Sequence, residues 1–155
     1  MPRVTRRRTI EAPVGEVWKL VSDPYNLPRW WPRTTRVENV ERGGERRGEW
    51  TQVLETAEGR GVRADYRCIS SAQPSRYVWE QRIDGTPFER HLKASRMAIE
   101  LGEKGDETEI SITSDQVLRG LSRLGSPLMR HGQAEIVDEA LDGIERALDP
   151  GDDDG

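Results

Sequence analysis

Hydrophobic and polar residues alternate through most of the chain, and this two-residue period predicts β-strands. Seven segments show it, and most are separated by short turns that contain glycine: 3–10, 35–42, 47–56, 60–70, 76–83, 88–101 and 107–115. Such short connections join antiparallel strands, because a parallel crossover needs about a dozen residues or more. The pattern therefore predicts one antiparallel sheet of seven strands.

The period changes to that of an α-helix in two parts of the chain. After the first strand, Val14, Val17 and Val21 recur at helical spacing, and a second short helical turn is predicted over 25–31. Towards the end, the segment 119–148 has its apolar residues on one broad arc, which is typical of an amphipathic helix. We therefore expect an α+β domain whose sheet hides its apolar face around this long helix.

The length of 155 residues corresponds to one domain, for which roughly 100–200 residues are usual. Five Trp and three Tyr in a patterned chain argue against disorder. The end differs, since 149–155 contains four Asp and no apolar residue. We expect a folded domain over 1–148 followed by a disordered acidic tail over 149–155.

Neither end of the chain shows a targeting or membrane segment. No apolar run approaches the ~20 residues that span a bilayer, and the first eight residues lack the apolar stretch of a signal peptide. Cys68 is the only cysteine, so an intramolecular disulfide is excluded. The expected location is the cytoplasm.

Charge is distributed unevenly along the chain. Positions 1–100 carry 19 cations and 14 anions, a net charge of +5, whereas 101–155 carry 5 cations and 14 anions, a net charge of −9. A basic segment rich in Arg raises the possibility of nucleic-acid binding. However, Arg63, Asp65 and Arg67 alternate along one predicted strand, which places opposite charges on one solvated face. We therefore expect a salt-bridged surface and no nucleic-acid partner.

Motifs for cofactors and metals are absent from the sequence. It contains no glycine-rich phosphate-binding motif and no G-x-S-x-G nucleophile motif. His91, His131 and Cys68 lie far apart and lack the spacing of metal ligands. We predict neither a metal nor a cofactor.

The inward faces of three predicted strands are aromatic, because the alternate positions of these strands carry charges. The inward aromatic residues are Trp50, Tyr66, Tyr77 and Trp79. Gln52 and Gln81 fall on the same face, and a buried amide without a partner costs about 1–3 kcal/mol. They either bond each other, a neighbouring tyrosine or water, or they orient a polar group of a ligand.

The segment 88–101 has two possible phases. Met97 and Leu101 belong to one set of alternating positions and Leu92 to the other, so a bulge or a twist is expected to change the phase between 92 and 97. If strict alternation holds, His91 faces the interior and is the only plausible acid or base near neutral pH. Otherwise it is a surface or rim residue.

The long helix carries three unusual residues near its apolar arc. Gly132 and Gly143 each cost up to ~1 kcal/mol relative to Ala. Close contact with the sheet or space for a ligand explains such glycines, and the two explanations can coexist along one helix. Gln133 lies within the arc and is a third candidate polar group for a ligand.

Several segments follow a recognisable order of residues. An alanine-proline helix start and a tryptophan occupy 11–18, an Asp-Pro pair ends 21–24, and a Trp-Trp-Pro segment ends 27–32. These features, with 105–110 and 139–144, resemble the START-like superfamily in its bacterial polyketide cyclase/dehydrase-like (SRPBCC) branch. The resemblance implies a helix-grip fold, in which a curved seven-stranded antiparallel sheet surrounds a long C-terminal helix and two short helices follow the first strand. It also implies a hydrophobic cavity, since members bind lipids, sterols, polyketides, quinones and plant hormones.

Three hypotheses for function follow. In the first, the protein binds a small hydrophobic or aromatic molecule, such as a lipid or polyketide, without inserting into a membrane, and is a monomer or weak homodimer. The ligand-binding residues would be Trp50, Gln52, Tyr66, Tyr77, Trp79, Gln81 and Gln133. In the second, it is a cyclase or dehydratase with His91 as the acid or base, and Gln52, Gln81 or Tyr66 holds a carbonyl or enolate oxygen. In the third, it is a protein-interaction module without an open cavity.

Overall fold

The computed structural model describes residues 3–45, 47–55, 59–119 and 126–149, with side chains from 131 onwards in the last segment. The strands are β1 Arg3–Ile10, β2 Thr34–Glu38, β3 Glu49–Glu55, β4 Gly61–Ala72, β5 Arg76–Arg82, β6 Leu92–Lys104 and β7 Glu107–Leu118. The α-helices are α1 Val14–Val21, α2 Leu27–Trp30 and α3 Ser126–Leu148, and 3₁₀ turns occupy Pro24–Asn26 and Pro87–Arg90.

The strands form one antiparallel sheet in the order β1-β7-β6-β5-β4-β3-β2. Strands β2 to β7 pair with their sequence neighbours through hairpins, whereas β1 pairs with β7. The segment with α1 and α2 therefore connects the two edge strands, β1 and β2. This arrangement confirms the predicted helix-grip fold.

Helix α3 packs against β1, β7, α1 and α2. Its arc residues Val137, Leu141 and Ile144 are fully buried against inward residues of the sheet such as Ile99 and Ile110. The apolar arc predicted from the sequence is therefore the part of α3 that completes the core.

Helices α1 and α2 cover one end of the sheet. Asp23 accepts a hydrogen bond from the backbone N–H of Tyr25 and so begins the 3₁₀ turn that leads into α2. Trp30, at the end of α2, is buried beside α3. A Cβ on Gly143 would lie 2.2 Å from the carbonyl oxygen of Trp30, so the glycine permits direct contact between the two backbones. The close approach expected here is thus to α2, whereas the sequence suggested the sheet.

The largest change from the predicted boundaries concerns the segment 88–101. Pro87 begins a 3₁₀ turn, and β6 starts only at Leu92. The predicted bulge is present, because the register with β7 shifts between Leu92 and Ala94.

Several other boundaries differ from the prediction, among them the end of β2 at Glu38 instead of 42 and the end of β6 at Lys104 instead of 101. Strand β7 extends to Leu118, beyond the predicted 115, and α3 begins at Ser126 with Pro127 in its first turn. The rest of the predicted helix start, 120–125, lies outside the described residues, as does the tail from 150 onwards.

The outer face of the sheet carries ion pairs between strands. Glu38 contacts Arg36 and Arg63, the latter at 3.0 Å, and Glu80 contacts Arg67 at 2.6 Å. The hydrogen bonds from Arg63 and Arg36 hold the pKa of Glu38 below its usual value. Opposite charges therefore alternate on this solvated face, and the absence of a nucleic-acid partner stays a prediction. None of the described helices has the length and hydrophobicity needed to span a membrane.

Candidate functional site

A cavity of about 540 Å³ lies between the inner face of the sheet and the first half of α3. Strands β3 to β7, the segment after α2, the 3₁₀ turn before β6 and α3 all contribute to its wall. Its apolar and aromatic lining consists of Trp31, Pro32, Leu54, Val62, Tyr66, Trp79, Phe88, Met97 and Ile136.

The cavity exists because α3 does not fill the space in its first half. Gly132 lines the cavity, and a Cβ at this position would have no atom within 4 Å. Ile136 also lines it but keeps 43% of its surface exposed, whereas Val137 and Leu141 are completely buried. The two explanations for glycine thus apply to different residues, since Gly132 leaves space and Gly143 permits close contact.

Trp79 is the centre of an aromatic cluster behind the cavity. Its ring centroid lies 5.7 Å from that of Trp31, 5.9 Å from that of Trp50 and 5.9 Å from that of Tyr77. Trp31 and Trp79 line the cavity, but Trp50 and Tyr77 do not.

Trp50 and Tyr77 were predicted to bind the ligand, but neither lines the cavity. The ring of Trp50 stacks on Tyr66, and the ring of Tyr77 packs edge-on against Trp18 of α1. Both point inward as predicted, yet other aromatic side chains cover them, so they are core residues.

Gln52 lines the cavity with an amide that already has partners. Its Nε2 donates to Oγ1 of Thr34 at 2.8 Å, and its Oε1 accepts from the indole N–H of Trp50 at 3.4 Å. The Gln52 amide is therefore bonded within the protein, but to Thr34 and Trp50 and not to Gln81 or a tyrosine.

Three other glutamine side chains in the cavity wall each have a buried atom without a partner. These atoms are Nε2 of Gln81 and the Oε1 atoms of Gln116 and Gln133. Gln133 is only 5% exposed, and its Nε2 donates to Oγ of Ser114 at 2.9 Å. The cavity therefore offers unused hydrogen-bonding capacity at three positions.

The sheet register places most of these polar groups in one inward row. Tyr66 pairs with Gln81 across β4 and β5, and Ser95 pairs with Gln116 across β6 and β7. The pairing of β5 and β6 ends with Glu80 opposite Arg96, so Gln81 and Ser95 are the next neighbours by continuation. All four members of the row line the cavity.

The ionisation of the cavity wall is uneven. Burial raises the pKa of Tyr66 to about 12, so its phenol is neutral at physiological pH. The acidic lining residues Glu55, Glu135 and Glu139 are exposed, as are the basic lining residues Arg33 and Arg96. Charge is therefore confined to the rim, and neutral groups form the interior.

His91 does not belong to this site. It is exposed at the end of the 3₁₀ turn before β6 and is not among the residues that line the cavity. The strand phase that would turn it inward does not exist, because Pro87 begins a turn where a strand was expected. Among the described residues, no group of three or more His, Cys, Asp or Glu side chains is arranged to hold a metal ion.

The sequence prediction missed several residues of the cavity wall. Gln116 lay beyond the predicted end of its strand, although continuing the period of Ile112 and Ser114 by two residues reaches it. Met97 lies in an alternating apolar set and Ile136 on the apolar arc of the predicted helix, but neither period distinguishes a cavity wall from a filled core.

The family model described as polyketide cyclase / dehydrase and lipid transport matches residues 1–149. The chain belongs to this family. Among curated protein sequences, none matches significantly. Membership of a family that shares a fold does not by itself define a reaction.

Solved structures of related fold have low sequence identity to this family member. A START superfamily protein from Mycobacterium smegmatis has a TM-score of 0.75 and 15% identity, with 92% of this chain and 94% of that chain covered. A protein from Thermus thermophilus has a TM-score of 0.73 and 22% identity, with 94% and 96% covered. The di-domain aromatase/cyclase BexL of the BE-7585A biosynthetic pathway has a TM-score of 0.75 and 19% identity, with 96% of this chain and 46% of that chain covered. These likenesses concern the fold.

Proposed function

We propose that this protein binds a small, mainly hydrophobic or aromatic molecule, such as a lipid or a polyketide, in the cavity between the sheet and α3. The observation that carries the proposal is the cavity, whose interior combines aromatic walls with neutral amides that lack partners. A volume of about 540 Å³ lies within the range of small-molecule sites, roughly 300–1,000 Å³. The faces of Trp79 and Tyr66 provide contact area for a planar molecule.

Binding without covalent chemistry agrees best with the residues in the wall. An acid or base near neutral pH is the usual requirement for cyclisation or dehydration, and the described lining contains no histidine. A cyclase or dehydratase is the second candidate, because the family description and the likeness to BexL include that chemistry. In that case Tyr66 and Gln81, which are paired across strands, would hold a carbonyl or enolate oxygen. An open cavity argues against a module that acts only through protein contacts.

The proposal is tested by blocking the cavity. In Gly132→Leu the new side chain enters open space in the cavity. Gly15→Leu is a matched control, because Gly15 also lies in a helix with no atom within 4 Å but is exposed outside the cavity. The neutral fluorescent probe N-phenyl-1-naphthylamine should bind the wild type and Gly15→Leu and should bind Gly132→Leu at least tenfold more weakly. Equal binding to all three proteins, or none to the wild type, would contradict the proposal.

The bound molecule itself can be identified by native mass spectrometry of the freshly purified protein. We expect an additional mass of a small molecule on the wild type that disappears on denaturation and is absent from Gly132→Leu.

A further inference from the structure

Three glutamine side chains from three different elements surround one part of the cavity. Gln81 is on β5, Gln116 on β7 and Gln133 on α3, and all three line the same space. Strand β6 lies between β5 and β7 and contributes Ser95, which pairs with Gln116. Because neighbouring strands are about 4.8 Å apart, the two glutamines of the sheet are about 10 Å apart at their backbones, on either side of Ser95.

The helix adds the third amide from above this row. Gln133 donates to Oγ of Ser114, which is two residues before Gln116 on β7 and so points in the same direction. This bond fixes the Gln133 amide near the row while leaving its Oε1 without a partner. A ligand group over Ser95 is therefore flanked by amides from the two strands next to β6 and from the helix.

Among the described glutamines that line the cavity, only these three have a buried amide atom without a partner. Gln52 belongs to the same wall, and both atoms of its amide are bonded within the protein. A buried polar atom without a partner has lost its hydrogen bonds to water and gained none, so three in one cavity wall destabilise the empty fold. A ligand that bonds all three would remove this cost, and an apolar ligand would not.

The charge of the surrounding side chains limits the charge that a ligand can carry at this position. The phenol of Tyr66 is neutral, and the hydroxyl of Ser95 is neutral as well. Arg96, next to Ser95 in sequence, also belongs to the cavity wall, but its exposed guanidinium pairs with Glu80. A carboxylate over Ser95 would therefore lose its hydration, and the cation beside it in sequence, Arg96, is already paired with Glu80.

We propose that Gln81, Gln116 and Gln133 form a subsite for a neutral group that both donates and accepts hydrogen bonds, such as a carboxamide on an aromatic ring. This inference rests on the proposed binding function and extends it to the chemistry of the ligand. The subsite favours a carboxamide over a ketone, which only accepts, and over a carboxylate, which is charged. It also disfavours purely aliphatic ligands, because they leave all three amides unpaired.

Three probes with the same ring separate these requirements in isothermal titration calorimetry. The probes are 2-naphthamide, 2-acetylnaphthalene and 2-naphthoate, which present a carboxamide, a methyl ketone and a carboxylate. The wild type should bind the carboxamide about tenfold more tightly than the ketone, because two additional hydrogen bonds are formed. The carboxylate should bind most weakly.

Two variants assign the preference to the subsite. Gln116→Leu keeps approximate volume and removes an amide without a described partner, so the carboxamide should lose most of its advantage over the ketone. Gly15→Leu, at an exposed position outside the cavity wall, should keep the wild-type ratio. Should Gln116→Leu fail to fold, Gln81→Leu makes the same test, and the ratio in the wild type stays decisive.

The outcomes distinguish this inference from the proposed function. Equal affinity for the carboxamide and the ketone would overturn the subsite, with trapped water then satisfying the amides, while binding of the naphthalene ring would still support the cavity as a ligand site. The tightest binding by 2-naphthoate would also overturn it. If the wild type binds none of the three probes but binds N-phenyl-1-naphthylamine, the subsite is wrong and the binding function stands. If it binds no probe at all, both fail.

Discussion

Replacing Gly143 by Ala should destabilise the protein, although the same change normally stabilises a helix. The new Cβ would lie 2.2 Å from the carbonyl oxygen of Trp30 and 2.8 Å from its carbonyl carbon and Cα. These are backbone atoms, so the clash is relieved only if α2 and α3 separate by about 1 Å or more. Gly132→Ala is the matched control on the same helix, because a Cβ there meets no atom within 4 Å.

The expected magnitudes have opposite signs. Overpacking a closely packed contact costs about 1–3 kcal/mol, and the upper end applies because backbone must move. Replacing Gly by Ala in a helix stabilises it by up to ~1 kcal/mol, so the free energy of unfolding of Gly143→Ala should fall by about 2 kcal/mol in total. Gly132→Ala should gain up to ~1 kcal/mol from helix propensity alone. For a chain of this length, about 2–4 °C per kcal/mol gives a Tm about 4–8 °C lower for Gly143→Ala and up to about 4 °C higher for Gly132→Ala.

Thermal melts followed by circular dichroism, with urea titrations to obtain the free energy of unfolding, measure both variants. A Gly143→Ala protein as stable as the wild type would refute the assigned contact between α2 and α3. A loss of stability in Gly132→Ala would show that the space beside Gly132 is filled.

Four further predictions follow from single side chains and from the tail. Gln52→Leu should lower the free energy of unfolding by about 1–3 kcal/mol because it leaves two partners unpaired. Gln81→Leu should leave the stability of the ligand-free protein unchanged or higher, because its Nε2 has no partner to lose. A urea titration in which Gln81→Leu is the less stable of the two variants would contradict this. Deleting 150–155 should change the free energy of unfolding by less than ~0.5 kcal/mol, and a loss above about 1 kcal/mol in the same assay would show that the tail contributes to the fold. Cys68 is half-buried and burial raises the pKa of its thiol, so labelling of the native protein by a thiol reagent should be slow compared with the urea-unfolded chain, and equal rates would refute its assigned environment. The pKa of Tyr66 is near 10 in the unfolded chain and about 12 in the folded protein, so its contribution to stability is complete below pH 10 and is lost as the pH rises towards 12. Tyr66→Phe should reduce the loss of unfolding free energy between these pH values. The same dependence of stability on pH in the variant and the wild type would count against the buried phenol.

The fold could be predicted from the sequence because its periods are local. Alternation identified the strands, and the change to helical spacing identified α1 and α3. The prediction was wrong where one residue overrides the period. Pro87 fixes its own φ and has no N–H, so it begins a turn, β6 starts only at Leu92, and His91 takes the exposed one of its two predicted positions.

The site could be predicted only in part, because whether an inward side chain reaches the cavity or is covered by other side chains depends on the tertiary structure. Alternation shows that Trp50 and Trp79 face inward, but not that Trp79 reaches the cavity while Trp50 is covered. Likewise, Gln52 and Gln81 are equivalent by pattern, and only the position of Thr34 on the neighbouring strand separates the satisfied amide from the unsatisfied one. Such distinctions depend on contacts between residues that are distant in the chain.

The backbone contact between Gly143 and Trp30 also has a consequence for the kinetics of ligand exchange. It fixes the end of α2 to α3, and with it the cavity wall at Trp31. A wall held by backbone against backbone cannot swing outward without separating two helices, so ligand exchange through this side would be slow. Another part of the wall carries Phe88, which packs on a small separate cluster that includes Ile83 among the described residues. Opening of the 3₁₀ turn at Phe88 therefore disrupts far fewer contacts, and residence times of bound molecules should depend on this turn rather than on α2.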